Sequence, residues 1–313
     1  MSEPVPLDRF VGCLLGQAVG DGLGAPYEGL PADNLFWGYG RPDELVSNPS
    51  GETLFYTDDT QMMIGVAQTL LEHGTILEGA LCETFAANYD PRRGYGQGAR
   101  RILEAAAEGR DWRALAATIF PGGSLGNGAA MRVAPVGLLF GDDLDMVEEE
   151  AELSAAPTHQ HPLGVEGARL MALAVALASR RPFERRSFYR ELIRRCQSEE
   201  FEWQLRAASR MSYHSQVSVF GNSLEAHRSV VTAIACFSTS PDSYEGAVGR
   251  AIGLGNDTDT LAAMAGALAG AQLGVAAVPA ALIDHLEDGR RGRRYLQALA
   301  GRLHRRYLEM TAR

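Results

Sequence analysis

Apolar residues recur along almost the whole chain at three- and four-residue spacing, which is typical of amphipathic α-helices. Gly, Pro, Asn and Asp interrupt the apolar runs, and few stretches alternate as a β-strand would. The chain is therefore predicted to be all-α. The predicted helices cover residues 8–22, 59–73, 76–88, 94–108, 127–140, 143–154, 162–180, 184–196, 224–238, 243–253, 259–273, 279–287 and 293–310.

Two longer irregular segments separate these helices. Residues 24–57 are rich in Gly, Pro and Asn, and residues 209–223 are rich in Ser. Loops of this length in a compact domain are often functional. No linker, low-complexity tract or clear repeat divides the chain, so we expect one domain over residues 1–313. The small residues of 261–274 predict a central helix that approaches a neighbouring backbone closely.

Composition narrows the classes of partner. The formal net charge is -10, and all 29 basic residues are arginine, so neither nucleic acid nor an anionic membrane is an expected partner. The four cysteines are scattered and form no Cys-x-x-Cys pair, which disfavours a thiolate zinc site. No signal peptide opens the chain and no apolar run has membrane-spanning length. We expect a cytoplasmic monomer with free thiols.

Two acidic clusters carry the chemistry. One is Thr57-Asp58-Asp59-Thr60 and the other is Asp257-Thr258-Asp259-Thr260, each directly before an apolar helical pattern. Helix capping would explain one such cluster alone, but two of the same type favour metal binding. Four converging carboxylates repel one another unless cations lie between them. Hard oxygen donors suit Mg²⁺, Mn²⁺ or Ca²⁺ better than zinc or copper, so the sequence predicts an oxygen-ligated dinuclear site.

The directions in which the carboxylates of the second cluster point depend on the local backbone conformation. In a regular helix Asp257 and Asp259 would point to nearly opposite sides, whereas in a turn they point to the same side. The preceding residues 253–256, Gly-Leu-Gly-Asn, favour a turn.

Five segments, in this order along the chain, resemble the motifs of the ADP-ribosylglycohydrolase family. They are VGCLLGQAVGDGLGAPYE (11–28), YTDDTQM (56–62), GNGAAMRVAP (126–135), Thr158-His159 and GNDTDT (255–260). Each motif is weak evidence by itself, but the five together span nearly the whole chain in the family's order. The resemblance implies a compact, single-domain orthogonal helical bundle.

The resemblance also implies a metal site and its chemistry. Two Mg²⁺ ions, or Mn²⁺, would be held by Thr57, Asp58, Asp59, Asp257, Asp259 and Thr260. Glu28 matches a glutamate that the family places beside the metals, and we expect it to act as a gate and as an acid or base. Asp257 or Asp259 would activate the attacking water, since cleavage at an anomeric carbon builds oxocarbenium character. Two metals can also grip a ribose cis-diol.

A glycine-rich loop at 120–128 is a candidate phosphate site. Its glycines would let backbone N–H groups approach a pyrophosphate, with the positive end of a helix starting near Gly128. An ordinary loop with a helix cap is the alternative. The loop resembles the diphosphate loop of the family's serine-type branch, which often has tyrosine at the position of Leu125. Residues 221–224 resemble a late loop of the same branch on the adenine side, with Leu224 as a contact, and the family motif makes His159 a contact of the phosphates or ribose. Together these resemblances imply substrate contacts from Phe120, Gly123, Ser124, Leu125, Gly126, Asn127, Gly128, His159 and Leu224.

The function implied is Mg²⁺-dependent cleavage of the glycosidic bond at the distal ribose of O-linked conjugates, releasing ADP-ribose. ADP-ribosyl-serine, poly(ADP-ribose) and O-acetyl-ADP-ribose are such conjugates, so the expected partners are ADP-ribosylated proteins or small ADP-ribosyl compounds. Hydrolysis of ADP-ribosyl-arginine remains open. So do a non-catalytic, crystallin-like ADP-ribose-binding protein and a dinuclear phosphoesterase.

Overall fold

The prediction of an all-α protein is confirmed. A computed structural model describes residues 3–39, 44, 46, 53–180 and 182–312, and these contain sixteen α-helices and no β-strand, only isolated bridges. In chain order the helices are α1 Leu7–Gly24, α2 Ala32–Tyr39, α3 Asp58–His73, α4 Glu78–Asn88, α5 Gln97–Ala107, α6 Trp112–Ile119, α7 Ala134–Leu139, α8 Leu144–Ala155, α9 Pro162–Ala178, α10 Arg185–Arg195, α11 Glu199–Ala208, α12 Ala226–Ser238, α13 Tyr244–Ile252, α14 Thr258–Leu273, α15 Ala280–His285 and α16 Arg293–Thr311.

Helices α1 and α14 lie against each other in opposite directions at backbone contact. A Cβ atom built on Gly270 would lie 1.9 Å from the carbonyl oxygen of Gly12, and one on Gly266 would lie 2.3 Å from that of Gly16. One turn further along, a Cβ on Gly20 would lie 2.2 Å from the carbonyl oxygen of Ala262. Only a face without side chains allows this approach, as the small residues of 261–274 predict.

The antiparallel pair is buried in the main hydrophobic core. The hydroxyl of Tyr244, on α13, reaches across to donate a hydrogen bond to the carbonyl oxygen of Gly16 (2.7 Å). Because the pair is antiparallel, the C-terminal end of α1 and the N-terminal end of α14 lie together. A Cβ on Gly24 would lie 2.4 Å from the carbonyl oxygen of Thr258. This end of the pair carries the acidic residues.

Several helix boundaries differ from the prediction. The helix predicted at 127–140 is a helix only over Ala134–Leu139, after turns, because Pro135 suits a first helical turn. Helices α2, α6 and α11 occupy segments in which the sequence pattern predicts no helix. They are short, and α6 buries only Ala116, so their apolar signal is weak. Residues 40–43, 45 and 47–52 of the irregular segment 24–57 lie outside the described residues.

The described helices and the four cysteines agree with two features of the sequence, the lack of a membrane-spanning apolar run and the lack of a paired-cysteine motif. None of the helices described is long and apolar enough to cross a membrane. Cys13, Cys82, Cys196 and Cys236 are all free thiols, and only Cys196 is not fully buried.

The contact between α1 and α14 predicts opposite effects at two helical glycines. Gly270→Ala should lower the free energy of unfolding by about 1–3 kcal/mol or more, because its methyl group would overlap backbone atoms that cannot move aside. Gly301→Ala, on α16, is the control: a Cβ built there would have nothing within 4 Å. It should gain up to about 1 kcal/mol through helix propensity. Urea denaturation of both variants measures this, and equal effects would contradict the prediction.

Candidate active site

The first acidic turn is held by a residue on α1. The Thr57 hydroxyl caps α3 by accepting from the N–H of Asp59 (3.4 Å). One carboxylate oxygen of Asp21 accepts from the N–H of Thr57 (2.8 Å), and the other accepts from the N–H and the hydroxyl of Thr60 (3.0 and 2.6 Å). Sequence reasoning did not single out Asp21. Its signal was an acidic residue within the glycine-rich, apolar second half of α1.

The second acidic turn has the conformation that its glycine and asparagine predict. Gly255 and Asn256 both have left-handed backbones, with φ of 73° and 59°. The side-chain amide of Asn222 donates to the carbonyl oxygens of Leu254 (2.6 Å) and Gly255 (3.2 Å) and so fixes the turn. Asn222 is not among the residues that the sequence singled out.

Helix capping explains only one of the two clusters. Asp257 occupies the N-cap position of α14, but its side chain makes no capping hydrogen bond. Instead, one of its oxygens accepts from the amide of Asn127 (2.5 Å), which lies in the glycine-rich loop. Asp257 therefore faces the site, whereas Thr57 both caps its helix and lies at the site.

The two acidic turns meet, although 201 residues separate the atoms in contact. The hydroxyls of Thr57 and Thr260 both lie within hydrogen-bonding distance of the same oxygen of Asp59, at 3.2 and 3.4 Å. A cavity of about 340 Å³ opens at this point, within the usual size range of small-molecule sites. The predicted site residues that line it are Glu28, Asp58, Asp59, Phe120, Ser124, Gly126, Asn127, Gly128, His159, Leu224, Asp257, Asp259 and Thr260.

The predicted residues Gly123, Leu125 and Thr57 are not part of that lining. Gly123 has a φ of 88°, and a Cβ there would lie 2.4 Å from the backbone nitrogen of His161, so it shapes the loop from behind. Leu125 is engaged through its backbone, since its carbonyl oxygen accepts from the N–H of Ala226 (2.9 Å). Thr57 borders a second, adjoining cavity.

The buried carboxylates repel one another. Burial and, after it, the neighbouring carboxylates raise the pKa of Asp58 to about 8 and that of Asp259 to about 9. Burial also raises the pKa of Asp257 to about 6, and that of Asp59 well above its usual value. Such a group of like charges away from water is costly unless cations or protons neutralise it.

The donor set fits hard divalent cations. Within the described residues, Asp59 Oδ1 is buried and has no hydrogen-bond partner. No three His, Cys, Asp or Glu side chains in the described part of the chain form a closed group able to hold a metal. The oxygens of Asp59, Thr57 and Thr260 instead bond to each other. A bound cation would replace these internal hydrogen bonds.

Glu28 lies on an exposed loop that is pinned to the second acidic turn. The N–H of Gly29 donates to the carbonyl oxygen of Asn256, and the N–H of Asn256 donates to that of Leu30, both at 2.7 Å. The negative charge of Glu28 contributes to the raised pKa values of Asp58, Asp257 and Asp259. Its carboxylate is thus close enough to act on the same bound molecule.

The glycine-rich loop is joined to the segment at Leu224 and Glu225, directly before α12. Gly126 and Glu225 make an antiparallel bridge, and the N–H of Asn127 donates to the carbonyl oxygen of Leu224 (2.8 Å). The expectation of a helix starting near Gly128 is wrong, because the chain turns there and α7 begins only at Ala134. The positive end of a helix is therefore not available at Gly128 itself. Three N–H groups of the loop, those of Gly123, Gly126 and Asn127, already donate within the protein.

His159 is a neutral donor or acceptor beside this loop. Its Nδ1 lies 2.7 Å from the Thr158 hydroxyl, and its Nε2 lies 3.3 Å from the Cβ positions built on Gly126 and Gly128. Burial, followed by the charge of Arg132, lowers the His159 pKa to about 3. Arg132 is itself fully buried and lines the cavity, and the sequence reasoning missed it.

A second missed feature is the wall formed by residues 94–99. The sequence pattern predicts that a helix starts at 94, but α5 begins at Gln97 and the residues before it line the cavity. A Cβ on Gly98 would lie 2.6 Å from the ring of Phe120. The three glycines within 94–98 were the available signal. Phe120 and Leu224 are 43% and 65% exposed, so the cavity has apolar groups at its rim.

Comparison with known proteins gives one family. The family model described as ADP-ribosylglycohydrolase matches residues 2–312. The chain is 34% identical to mouse ADP-ribosylhydrolase ARH3, over 97% of this chain and 93% of that protein. It is 35% identical to the human protein of the same name, over 87% of each. A solved structure described as an ADP-ribosylglycohydrolase-related protein complex is 26% identical, with a TM-score of 0.74 over 96% of this chain and 98% of the other.

The fold, the paired acidic turns and these similarities define an enzyme that hydrolyses ADP-ribose conjugates. The chain belongs to the ADP-ribosylglycohydrolase family. The resemblance drawn from its five sequence motifs is confirmed, and so is the predicted class of enzyme, an ADP-ribosylhydrolase.

The lowered pKa of His159 predicts a loss of stability in acid. Between its usual pKa of 6.5 and the folded value of about 3, the unfolded chain binds more protons at this residue, so stability falls as pH falls. The free energy of unfolding should therefore drop more between about pH 7 and pH 4.5 in the wild type than in His159→Gln. Urea titrations at both pH values give the difference, in which contributions from other groups cancel. Parallel losses in the two proteins would contradict it.

Proposed function

We propose that this protein is a Mg²⁺-dependent hydrolase of O-linked ADP-ribosyl conjugates, which cleaves at the distal ribose and releases ADP-ribose. The observation that carries the proposal is the meeting of the two acidic turns in a cavity that continues to the loop at 123–128. The similarity to proteins named ADP-ribosylhydrolase ARH3 supports the O-linked branch, which the loop motif also resembles.

Thr57, Asp58, Asp59, Asp257, Asp259 and Thr260 would hold two magnesium ions. When bound, these ions would offset the buried negative charge and supply Lewis acidity toward a ribose diol and a water. The raised pKa values of the aspartates reflect their burial first and the repulsion between the carboxylates second. Asp21 would support this role without touching the substrate, because it positions both ends of the first turn.

The rest of the nucleotide would lie along the cavity. The Ser124 hydroxyl, and those backbone N–H groups of the glycine-rich loop that do not already donate within the protein, suit a pyrophosphate. In the tautomer in which Thr158 donates to Nδ1, the N–H at Nε2 of His159 faces Gly126 and Gly128 and adds a neutral donor. Phe120 and Leu224 would contact the adenine, since both are apolar and exposed at the rim.

Proton transfer would involve Glu28 and one aspartate of the second turn. Glu28 is exposed on its loop and borders the cavity, so its carboxylate can accept or return a proton at the scissile oxygen. Asp257 or Asp259 would receive the proton of the attacking water. The amide of Asn127 fixes the orientation of Asp257 for this role.

Removing one aspartate should separate catalysis from folding. Asp257→Ala and Asp58→Ala should each reduce ADP-ribose release by more than about a hundredfold, since even outer partners of metal ligands are worth about 10- to 100-fold. Both should lose the rise in melting temperature that Mg²⁺ gives the wild type. The control is Asp242→Ala, an exposed aspartate outside the cavity, which should retain both properties. A fully active Asp257→Ala protein would refute the assignment.

Two modified peptides of the same sequence test whether the enzyme cleaves O-linked or N-linked ADP-ribose. One carries ADP-ribose on serine and the other on arginine, and released ADP-ribose is measured with Mg²⁺ present. We expect the serine peptide to be the better substrate. Turnover of the arginine peptide alone would assign the enzyme to N-linked substrates, and release of AMP or phosphate would identify a phosphoesterase.

A further inference from the structure

A second cavity, of about 430 Å³, adjoins the active site. The two cavities share Glu28 and Gly94, and Thr57 borders only the second. The cavity-lining residues within 120–128, His159 and Leu224 line only the first. A molecule whose reacting ribose lies at the acidic turns thus has the nucleotide loop in the same cavity and the second cavity next to it.

We propose that the second cavity, which we call the acceptor groove, binds the polypeptide segment that carries the ADP-ribosyl group. The groove is lined by Phe55, Tyr56, Asp90, Arg92, Arg93 and Glu287, together with the shared residues. This inference rests on the proposed function, because it assigns the leaving-group side of the same reaction.

Gly94 keeps the two cavities connected. It has a φ of 85°, and a Cβ built on it would lie 3.9 Å from Asp58 Oδ1. A larger residue here would be strained and would project a side chain toward the acidic turn. Its side-chain-free backbone leaves space between the reacting ribose and the groove.

One wall of the groove is rigid. The Arg93 guanidinium lies 4.0 Å from the centre of the Tyr56 ring, donates to the Tyr56 carbonyl oxygen (2.5 Å) and forms a two-pronged ion pair with Glu287. Glu287 also accepts from the N–H of Tyr56 (3.2 Å). A wall fixed by this many contacts loses little entropy when a ligand binds to it.

Two further residues that line the groove are exposed and suit a peptide. Phe55 is 62% exposed, and the Arg92 side chain is 87% exposed while paired with Asp90 at 2.7 Å. An exposed aromatic ring and a planar guanidinium are the kinds of group that dominate protein interfaces. Nothing in the described part of the fold requires a large apolar ring to face water at this position.

The net charge of the acceptor groove favours one kind of ligand. Glu28, Asp90 and Glu287 contribute three negative charges against the two positive charges of Arg92 and Arg93, which leaves the groove with a net charge of -1. Both arginines already have carboxylate partners. A phosphate-bearing chain would be repelled, whereas a neutral or basic polypeptide segment is complementary.

The test compares two conjugates that differ only in the leaving group. One is a serine-ADP-ribosylated peptide with neutral and basic flanking residues, and the other is O-acetyl-ADP-ribose. Phe55→Ala and Arg92→Ala should each reduce the ratio of kcat/KM for the peptide to kcat/KM for the small conjugate by about tenfold, which is the loss of one good interface contact. Phe55→Tyr, which keeps the ring, should restore the ratio.

The matched control is Arg206→Ala. Arg206 is an exposed arginine with its own glutamate partner, Glu202, and it lies outside both cavities. Its ratio should equal that of the wild type. An equal loss for both conjugates in the Phe55 and Arg92 variants would show damage to the neighbouring acidic turn and overturn the proposal. An unchanged ratio would overturn it as well.

A binding measurement separates this inference from the proposed function. Fluorescence anisotropy of the labelled peptide conjugate, competed by free ADP-ribose, is recorded on Glu28→Gln protein to limit turnover. The peptide should bind more tightly than ADP-ribose, and Phe55→Ala should remove that advantage. If the wild type hydrolyses neither conjugate but the peptide conjugate still binds more tightly than ADP-ribose, the proposed activity is refuted and the acceptor groove is supported. Equal binding of both ligands would refute the groove.

Discussion

The contact of bare backbone between α1 and α14 is the constraint on which the site depends. Glycines spaced four residues apart on α1 meet Gly270, Gly266, Ala262 and Thr258 in turn along α14. Two helices this close in opposite directions cannot slide by part of a turn, because that would place side chains against backbone. The contact therefore fixes the C-terminal end of α1, with Asp21 and the Glu28 loop beyond it, against the turn that carries Asp257 and Asp259.

Asp21 extends this constraint to the third part of the site. Its carboxylate oxygens bind Thr57 and Thr60, so that the start of α3 is held by α1 and not by its own cap alone. Burial, partly offset by these hydrogen bonds, raises the pKa of Asp21 to about 6. Asn222 and Asn127 do for the second turn what Asp21 does for the first. Neutral amides there add no further charge to an already acidic site.

The buried carboxylates of the site reduce the free energy of unfolding that the hydrophobic core provides. Several carboxylates share a buried volume, and the helix ends beside Asp58 and Asp259 favour negative charge by only about 0.3–1 kcal/mol each. The surrounding small-residue packing tolerates this arrangement because it cannot relax by moving the helices apart. The magnesium ions of the proposed function would offset this buried negative charge.

The sequence alone determined the helical class, because the apolar period is strong over most of the chain. It also identified both acidic turns, since paired Asp and Thr at two helix starts are rare by chance. It did not reveal Asp21, Asn222, Arg132 or the wall at 94–99, whose roles come from partners distant in the chain. Nor could it show that the positive helix end expected at Gly128 is absent, because turn and helix share the same residues there. Only tertiary packing decided which oxygens face one another and that a second cavity opens beside the first, because long-range contacts leave no period in the sequence.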